Sequence, residues 1–300
     1  DRRYRTPMIM VDNSVIKTFR FTSVVSLACV FAVLPVLAQK KTISDECHNS
    51  SAAQAMRDGR RFSEKGQHDR ALGSYMRAVQ LDPNCAGNFH NLGNAFYELG
   101  RHEDAIQAYR RTLLFNPRWA SLVHASIGRS LSELNRSDEA LDAYSEAIRL
   151  NPKDDILLRY RQYLYLKMAR WDAAAADGEA FLKLKGLKDD RSIYSALFTY
   201  MAYRKSGQDA TARAFLDEVA KSKFSDWPFA AVKYFRREIN EQELIAKADN
   251  DVKLAEARSY IGLDLLMMGK LAEALPHLNW VKENGKKTLI EYKLVIAELE

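Results

Sequence analysis

The sequence predicts an all-α protein built as a solenoid of helix–turn–helix repeats. The first observation is that residues 86–117 contain two apolar stripes at helical spacing, separated by Gly100. The second is that this stretch recurs along the chain, with an alanine near the start of each second stripe. These alanines are Ala71, Ala105, Ala140, Ala174, Ala212 and Ala274, spaced by 34, 35, 34, 38 and 62 residues. Three nearly equal steps indicate a repeat array.

Each part of the stretch 86–117 has a structural reason. The first helix is predicted by an apolar stripe formed by Phe89, Leu92, Phe96 and Leu99. Gly100 stands where the chain must reverse, a place that favours a residue tolerant of positive φ. Ala105 and Tyr109 begin the facing stripe, and Gly93 lets the two backbones approach while Tyr109 fills the space beside them. Pro117 cannot extend the second helix.

This pattern, and its copies around Gly59 and Gly128, resembles the tetratricopeptide repeat (TPR). The resemblance implies a right-handed superhelical solenoid whose first helices line a concave groove. We predict five segments: upstream residues with a signal peptide or N-terminal anchor in 1–38, a flexible polar segment in 39–51, a TPR array of about five repeats in 52–222, inserted helices in 223–252, and a sixth TPR-like repeat with a C-terminal capping helix in 253–300.

The fourth repeat departs from this pattern. Arg161-Gln162 replaces the usual apolar–small pair of the first helix, and Gly178 replaces the aromatic residue of the second. Repeats four and five carry more aromatic residues than one packing stripe requires. We expect the inserted helices to bury most of that surface and the remainder to serve self-association.

The N-terminal residues predict export. Lys17 and Arg20 precede an apolar run over residues 21–37, and Val36-Leu37-Ala38 precedes a polar start at Gln39. This arrangement is typical of a secretory signal cleaved after Ala38. The mature protein would then be periplasmic or secreted. The alternative is that residues 21–38 stay uncleaved and anchor the chain to a membrane.

Charge and cysteines fit an exported chain. The formal net charge is +6, and removal of residues 1–38 leaves about +3. That balance does not favour nucleic acid as a partner. Cys47 and Cys85 flank the first repeat at the same edge of adjacent repeats, so an oxidising compartment would allow a disulfide between them. Two free cysteines are the alternative.

Short segments of the C-terminal half carry a second resemblance. Trp227-Pro228, the run 241–245, the run 256–262 and Glu291-Tyr292 are similar to exported bacterial TPR proteins of the NlpI-like kind. The resemblance covers about residues 224–299. It implies an envelope scaffold, often dimeric, that recruits cell-wall hydrolases and proteases. The chain lacks a convincing lipid-attachment cysteine of that kind of protein.

The sequence predicts no enzyme. The six histidines are scattered without metal-ligand spacing, and neither a phosphate-binding glycine loop nor a nucleophile motif occurs. We therefore predict no cofactor, no metal and no small-molecule substrate.

The concave groove is the predicted site, and peptide binding is its predicted role. The candidate residues are Arg57, Arg60, His90, Asn91, Asn94, Tyr97, Arg129, Arg159 and Tyr163. Guanidinium groups pair with carboxylates, and an Asn amide can bond a peptide backbone on both edges. The alternative for each residue is an ordinary solvated side chain.

The predicted function is a non-catalytic protein–protein interaction scaffold of the bacterial cell envelope. Its partners would be proteins, and envelope enzymes or proteases fit the resemblance. One alternative is a homodimer whose array is chiefly structural. Another is an accessory subunit whose partner supplies the enzymatic activity.

Overall fold

A computed structural model of the protein describes residues 49–222, 224–225 and 227–300. The predicted signal segment 1–38, most of the segment 39–51, and Cys47 lie outside these described residues. Within them the chain forms fifteen α-helices and one short 3-10 helix, Pro117–Trp119. The α-helices are α1 Ser50–Glu64, α2 His68–Leu81, α3 Ala86–Glu98, α4 His102–Phe115, α5 Ala120–Glu133, α6 Ser137–Leu150, α7 Asp155–Lys167, α8 Trp171–Lys185, α9 Asp190–Lys205, α10 Asp209–Ala220, α11 Phe229–Phe235, α12 Glu241–Ala246, α13 Asp251–Met267, α14 Leu271–Asn284 and α15 Ile290–Leu299.

Helices α1 to α10 pair in sequence into five antiparallel hairpins, and α13 with α14 forms a sixth. Each second helix also packs on the first helix of the next hairpin through α9, which builds a continuous stack. The predicted all-α solenoid is confirmed. In the described part of the chain, no helix is both long enough and apolar enough to cross a lipid bilayer.

Close approach explains the glycine of the first helix in the first three hairpins. A Cβ atom on Gly93 would lie 2.5 Å from the ring of Tyr109, and one on Gly59 would lie 2.6 Å from the ring of Tyr75. The tyrosine in each case is buried. The helix pairs therefore close by fitting a ring against bare backbone, as the spacing predicts.

The fourth hairpin reverses this arrangement. Gln162 of α7 is fully buried, and a Cβ on Gly178 of α8 would overlap both its amide and the hydroxyl of Thr199. The Gln162 amide donates to Thr199 Oγ1 at 3.0 Å and accepts from Ser195 Oγ at 2.7 Å. The small residue has thus moved to the second helix, and the large polar residue has its hydrogen bonds satisfied.

The inserted helices bury the aromatic surface of the fifth repeat. Phe198 and Tyr200 of α9 are almost fully buried, and Tyr200 contacts Phe235 of α11 at a ring-centroid distance of 4.8 Å. A capping box begins α12, because Asn240 and Glu243 accept hydrogen bonds from each other's backbone N–H groups.

The C-terminal helix α15 packs on α13 and α14, where it covers the last hairpin. It also contacts α7, and Glu298 of α15 forms an ion pair of 2.6 Å with Lys205 of α9. Helices α7, α9 and α13 are all first helices of their hairpins. The helix α15 therefore crosses the face that the first helices form, a position that the sequence did not predict.

Candidate peptide-binding groove

The open part of the first-helix face runs from α1 to α7, because α15 covers the face beyond it. Arg60, Asn94 and Arg129 each follow the close-approach glycine of α1, α3 and α5, and all three are exposed. Tyr163 of α7 occupies the same place in the fourth repeat and is half-buried. The helical repeat thus aligns one polar or aromatic side chain per hairpin along this face.

Asn94 is held by its own hairpin. The hydroxyl of Tyr109 on α4 donates to Asn94 Oδ1 at 2.7 Å. Burial raises the pKa of Tyr109 far above its usual value, so the phenol remains a neutral donor at physiological pH. The Asn94 Nδ2 group has no hydrogen-bond partner among the described residues, so both of its N–H donors are available to a ligand.

Arg129 occupies the centre of the groove. Its guanidinium carbon lies 4.3 Å from the centroid of the Tyr97 ring, and its charge acts on the hydroxyls of Tyr109 and Tyr160. Within the described residues no carboxylate pairs with Arg129. Its positive charge is therefore positioned by aromatic rings and left uncompensated, which suits it to an anionic group of a ligand.

The groove continues onto α7. Tyr160 contacts Tyr144 at a centroid distance of 5.9 Å, and Arg159 lies 5.7 Å from the ring centroid of Tyr163. Burial raises the pKa of Tyr163 to about 12. The structure thus brings together the predicted residues of repeats two to four: Asn94, Tyr97, Arg129, Arg159 and Tyr163.

Other predicted residues have different surroundings. His90 packs between the rings of Tyr109 and Trp119, each at a centroid distance of 5.7 Å, and burial lowers the pKa of its imidazole. The structure therefore places His90 half-buried against these two rings, beside the groove. Asn91 is half-buried on the same helix.

The first repeat carries two predicted arginines. Arg57 donates to the side-chain carbonyl of Gln54 at 2.7 Å on the surface of α1. Burial raises the pKa of the Tyr75 phenol, and the nearby Arg60 guanidinium opposes that rise. Arg60 thus stands beside Tyr75 as Asn94 stands beside Tyr109.

Sequence reasoning missed the tyrosine hydroxyls of the second helices. The sequence predicts Tyr109 only as a packing residue, yet its hydroxyl and that of Tyr144, its counterpart in the next hairpin, reach the groove beside Arg129. The available signal was the choice of Tyr over Phe at this position, because a buried phenol requires a partner for its hydroxyl.

Sequence reasoning also missed a buried acidic cluster beneath α15. Glu256 accepts hydrogen bonds from Tyr194 at 2.8 Å and from the indole of Trp227 at 2.6 Å. Glu291 of α15 accepts from the hydroxyl of Tyr260 at 2.7 Å. Burial, with the neighbouring Glu256 carboxylate, raises the pKa of Glu291 to about 7. The Glu291–Tyr260 hydrogen bond joins α15 to α13.

The side chains offer little for metal chemistry. Across residues 49–300, apart from 223 and 226, no group of three or more His, Cys, Asp or Glu side chains is placed to hold a metal ion.

Comparison with protein families supports the repeat assignment. A model described as TPR repeat matches residues 59–100, and two models described as tetratricopeptide repeat match residues 89–118 and 123–154. No curated protein sequence matches the chain significantly.

Solved structures share the fold at low sequence identity. A tetratricopeptide repeat protein from Parabacteroides merdae aligns with a TM-score of 0.59 and 16% identity, over 83% of this chain and 99% of that one. The pilF protein of Pseudomonas aeruginosa aligns with a TM-score of 0.51 and 18% identity, over 83% and 97%. The MamA protein aligns with a TM-score of 0.51 and 21% identity, over 59% and 98%. The similarity of residues 224–299 to NlpI-like proteins stays a prediction. The repeat models and the hairpin geometry together show that this chain contains tetratricopeptide repeats, stacked as in other TPR solenoids.

Proposed function

We propose that the protein is a non-catalytic scaffold that binds a segment of a partner protein in the open groove between α1 and α7. TPR proteins are generally protein-interaction scaffolds, which agrees with this role. One observation carries the proposal. The groove presents a cation and an amide, Arg129 and Asn94, that are positioned by tyrosines. Among the described residues, no carboxylate pairs with the guanidinium and no acceptor engages the amide N–H groups.

The chemistry of the groove suits an extended peptide. The free amide of Asn94 can donate to a backbone carbonyl, and Arg129 can pair with a carboxylate of the ligand. Tyr97, Tyr160 and Tyr163 supply flat surfaces for apolar side chains of the same segment. The helix α15 sets the far limit of the site, so a partner that enters beyond α7 must displace it.

The location and the partner class are also part of this proposal. The sequence of residues 1–38 supports export, and the NlpI-like resemblance supports an envelope protein with hydrolases or proteases as partners. The positive charge of Arg129 favours an acidic segment or a chain terminus in the partner.

A crosslinked pull-down from the native envelope tests the proposal, with mature protein starting at Gln39 as bait. We expect Arg129→Ala and Asn94→Ala each to lower recovery of the captured partner about tenfold, since each removes one charge-assisted or amide hydrogen bond. Arg111→Ala is the matched control, because Arg111 is exposed on α4 and has no polar partner within the described chain. Equal recovery of the partner with all three variants would refute the proposal that the groove binds it.

The mass of the mature protein in solution distinguishes the scaffold from the alternative of a homodimer whose repeat array is chiefly structural. A stable dimer whose formation is unaffected by Arg129→Ala, together with no captured partner, would favour the homodimeric role over the scaffold.

A further inference from the structure

A pocket of about 390 Å³ lies between α9, α10 and the end of α11. Apolar residues of α9, α10 and α11 and charged residues of α9, α10 and the segment after α11 line it. None of these belongs to the groove between α1 and α7. The volume falls in the lower part of the range that small-molecule sites occupy.

The pocket has a cause in the repeat pattern. Tyr200 stands twelve residues before the anchor Ala212, the place that Gly93 holds before Ala105. The residue that faces Tyr200 across the hairpin is Leu216. Neither helix of this hairpin therefore supplies a glycine like the one that lets the two helices of the first three hairpins approach closely. The fifth hairpin therefore cannot close as the first three do, and the space beside Tyr200 and Leu216 stays open.

The floor of the pocket is apolar. Tyr200, Leu216 and Phe235 each expose at most 5% of their surface to solvent. Little of their own surface remains to be covered, so an apolar group that fills the open space beside them gains mainly close packing contacts.

The rim is charged, and four arginines and two aspartates line it. Arg204 pairs with Asp209 at 2.7 Å. Arg236 pairs with Asp217 and, at 2.6 Å, with Glu238, and Arg237 pairs at 2.6 Å with Asp264, which is buried beneath the rim. These three arginines are held by acidic partners.

The fourth arginine of the rim has no acidic partner among the described residues. Arg213 is exposed on α10, and in the described part of the chain no hydrogen bond or ion pair engages its guanidinium. A planar guanidinium with five N–H donors pairs with a carboxylate in two parallel hydrogen bonds. The pocket thus joins one available anion-binding group to an apolar floor.

We propose that this pocket binds a small organic anion, a carboxylate attached to an apolar body. The carboxylate pairs with Arg213 at the rim, and the apolar body lies on Leu216 and Phe235. A neutral analogue would lack the contact with the Arg213 guanidinium, and an anion without an apolar body would lack the contacts with Leu216 and Phe235. The source is either a free small molecule or the last residue of a polypeptide, because both present the same carboxylate beside an apolar group.

Ligand-observed NMR titration of the mature protein tests this site. The probes are N-acetylphenylalanine, its carboxamide and acetate. We expect the free acid to bind at least about tenfold more tightly than the carboxamide or acetate, since each of these lacks one of the two contacts. A hexapeptide ending in phenylalanine separates the sources. Tighter binding of the peptide indicates a polypeptide terminus, and equal binding indicates a free small molecule.

Two variants locate the binding. Arg213→Ala should weaken binding of N-acetylphenylalanine about tenfold. Arg77→Ala is the matched control, because Arg77 is exposed on the second helix of another hairpin and likewise lacks a polar partner within the described chain. Arg129→Ala should leave this binding unchanged and so separates the pocket from the groove. Absence of binding to the folded wild-type protein, or equal loss with Arg213→Ala and Arg77→Ala, would overturn the proposal.

Discussion

The hydroxyl of Tyr109 donates a hydrogen bond across 2.7 Å to Oδ1 of Asn94, from the second helix of a hairpin to the first. The same ring fills the space that Gly93 leaves open. One side chain therefore closes the hairpin with its ring and orients a groove amide with its hydroxyl. The two roles can be separated by substitution.

Tyr109→Phe removes the hydroxyl and keeps the ring. We expect the free energy of unfolding to fall by only about 1 kcal/mol, the usual net worth of a hydrogen bond. Capture of the partner should weaken severalfold, because the Asn94 amide is no longer held in one orientation. Urea unfolding and the pull-down measure the two effects. Tyr75→Phe is the control, since no hydrogen bond is found for the Tyr75 hydroxyl in the described chain. If Tyr75→Phe weakened capture of the partner protein as much as Tyr109→Phe, the hydrogen bond to Asn94 would be irrelevant to binding.

Gly93→Ala should destabilise the protein by about 1–3 kcal/mol, because the added methyl would overpack the buried Tyr109 ring. Gly73→Ala makes the same chemical change in the middle of α2, where nothing lies within 4 Å of the added Cβ. There we expect a gain of up to about 1 kcal/mol from helix propensity. Urea denaturation of both variants provides the comparison. Similar values for both would mean that close packing does not select glycine at position 93.

The repeat architecture was predictable because it depends on local features. The spacing of apolar residues, the glycine beside each tyrosine and the Asn240–Glu243 cap all act within about one hairpin of sequence. The sequence shows Gln162 and Gly178 of the fourth repeat as an exception to the pattern. It does not show how the large polar residue is accommodated. Gln162 becomes acceptable inside the protein only through Ser195 and Thr199 of the next repeat.

The C-terminal half was less predictable because its contacts span long separations. Glu256 and Glu291 resemble solvated helix residues in the sequence, and both are buried. Glu256 bonds to Tyr194 and Trp227, and Glu291 bonds to Tyr260, all at least 29 residues away. The course of α15 across α7 and α9 has no local signal. In the groove, sequence spacing placed the candidate residues on the first-helix face. It could not separate His90, which packs against Tyr109 and Trp119, from Asn94, which is exposed.

Cys85 forms a disulfide, and its predicted partner Cys47 lies outside the described residues. We predict that mass spectrometry of a non-reducing digest of the mature protein will recover a Cys47–Cys85 peptide. Reduction should lower the free energy of unfolding by about 2–4 kcal/mol, the usual contribution of a bond that closes a loop of this kind. Cys85→Ser should lower it equally. Recovery of Cys85 in a bond between two chains would contradict the predicted pairing.

The buried carboxyl of Glu291 should make stability depend on pH. Burial raises its pKa from an ordinary 4.5 to about 7. Between these values the folded protein keeps a proton that the unfolded chain has released. The stability gained from this proton is therefore complete below the unfolded pKa and is lost as the pH rises through 7. At about 1.4 kcal/mol per pKa unit, the loss is on the order of 3 kcal/mol.

Glu291→Gln should abolish much of this dependence, because glutamine keeps an acceptor for the Tyr260 hydroxyl and carries no charge. Urea unfolding at about pH 5 and about pH 8 should show the wild type losing stability and the variant staying nearly level. Glu283→Gln is the control, since Glu283 is exposed on α14 and no polar partner for it occurs in the described chain. A variant that loses as much stability as the wild type would show that Glu291 does not hold the proton on which α15 depends.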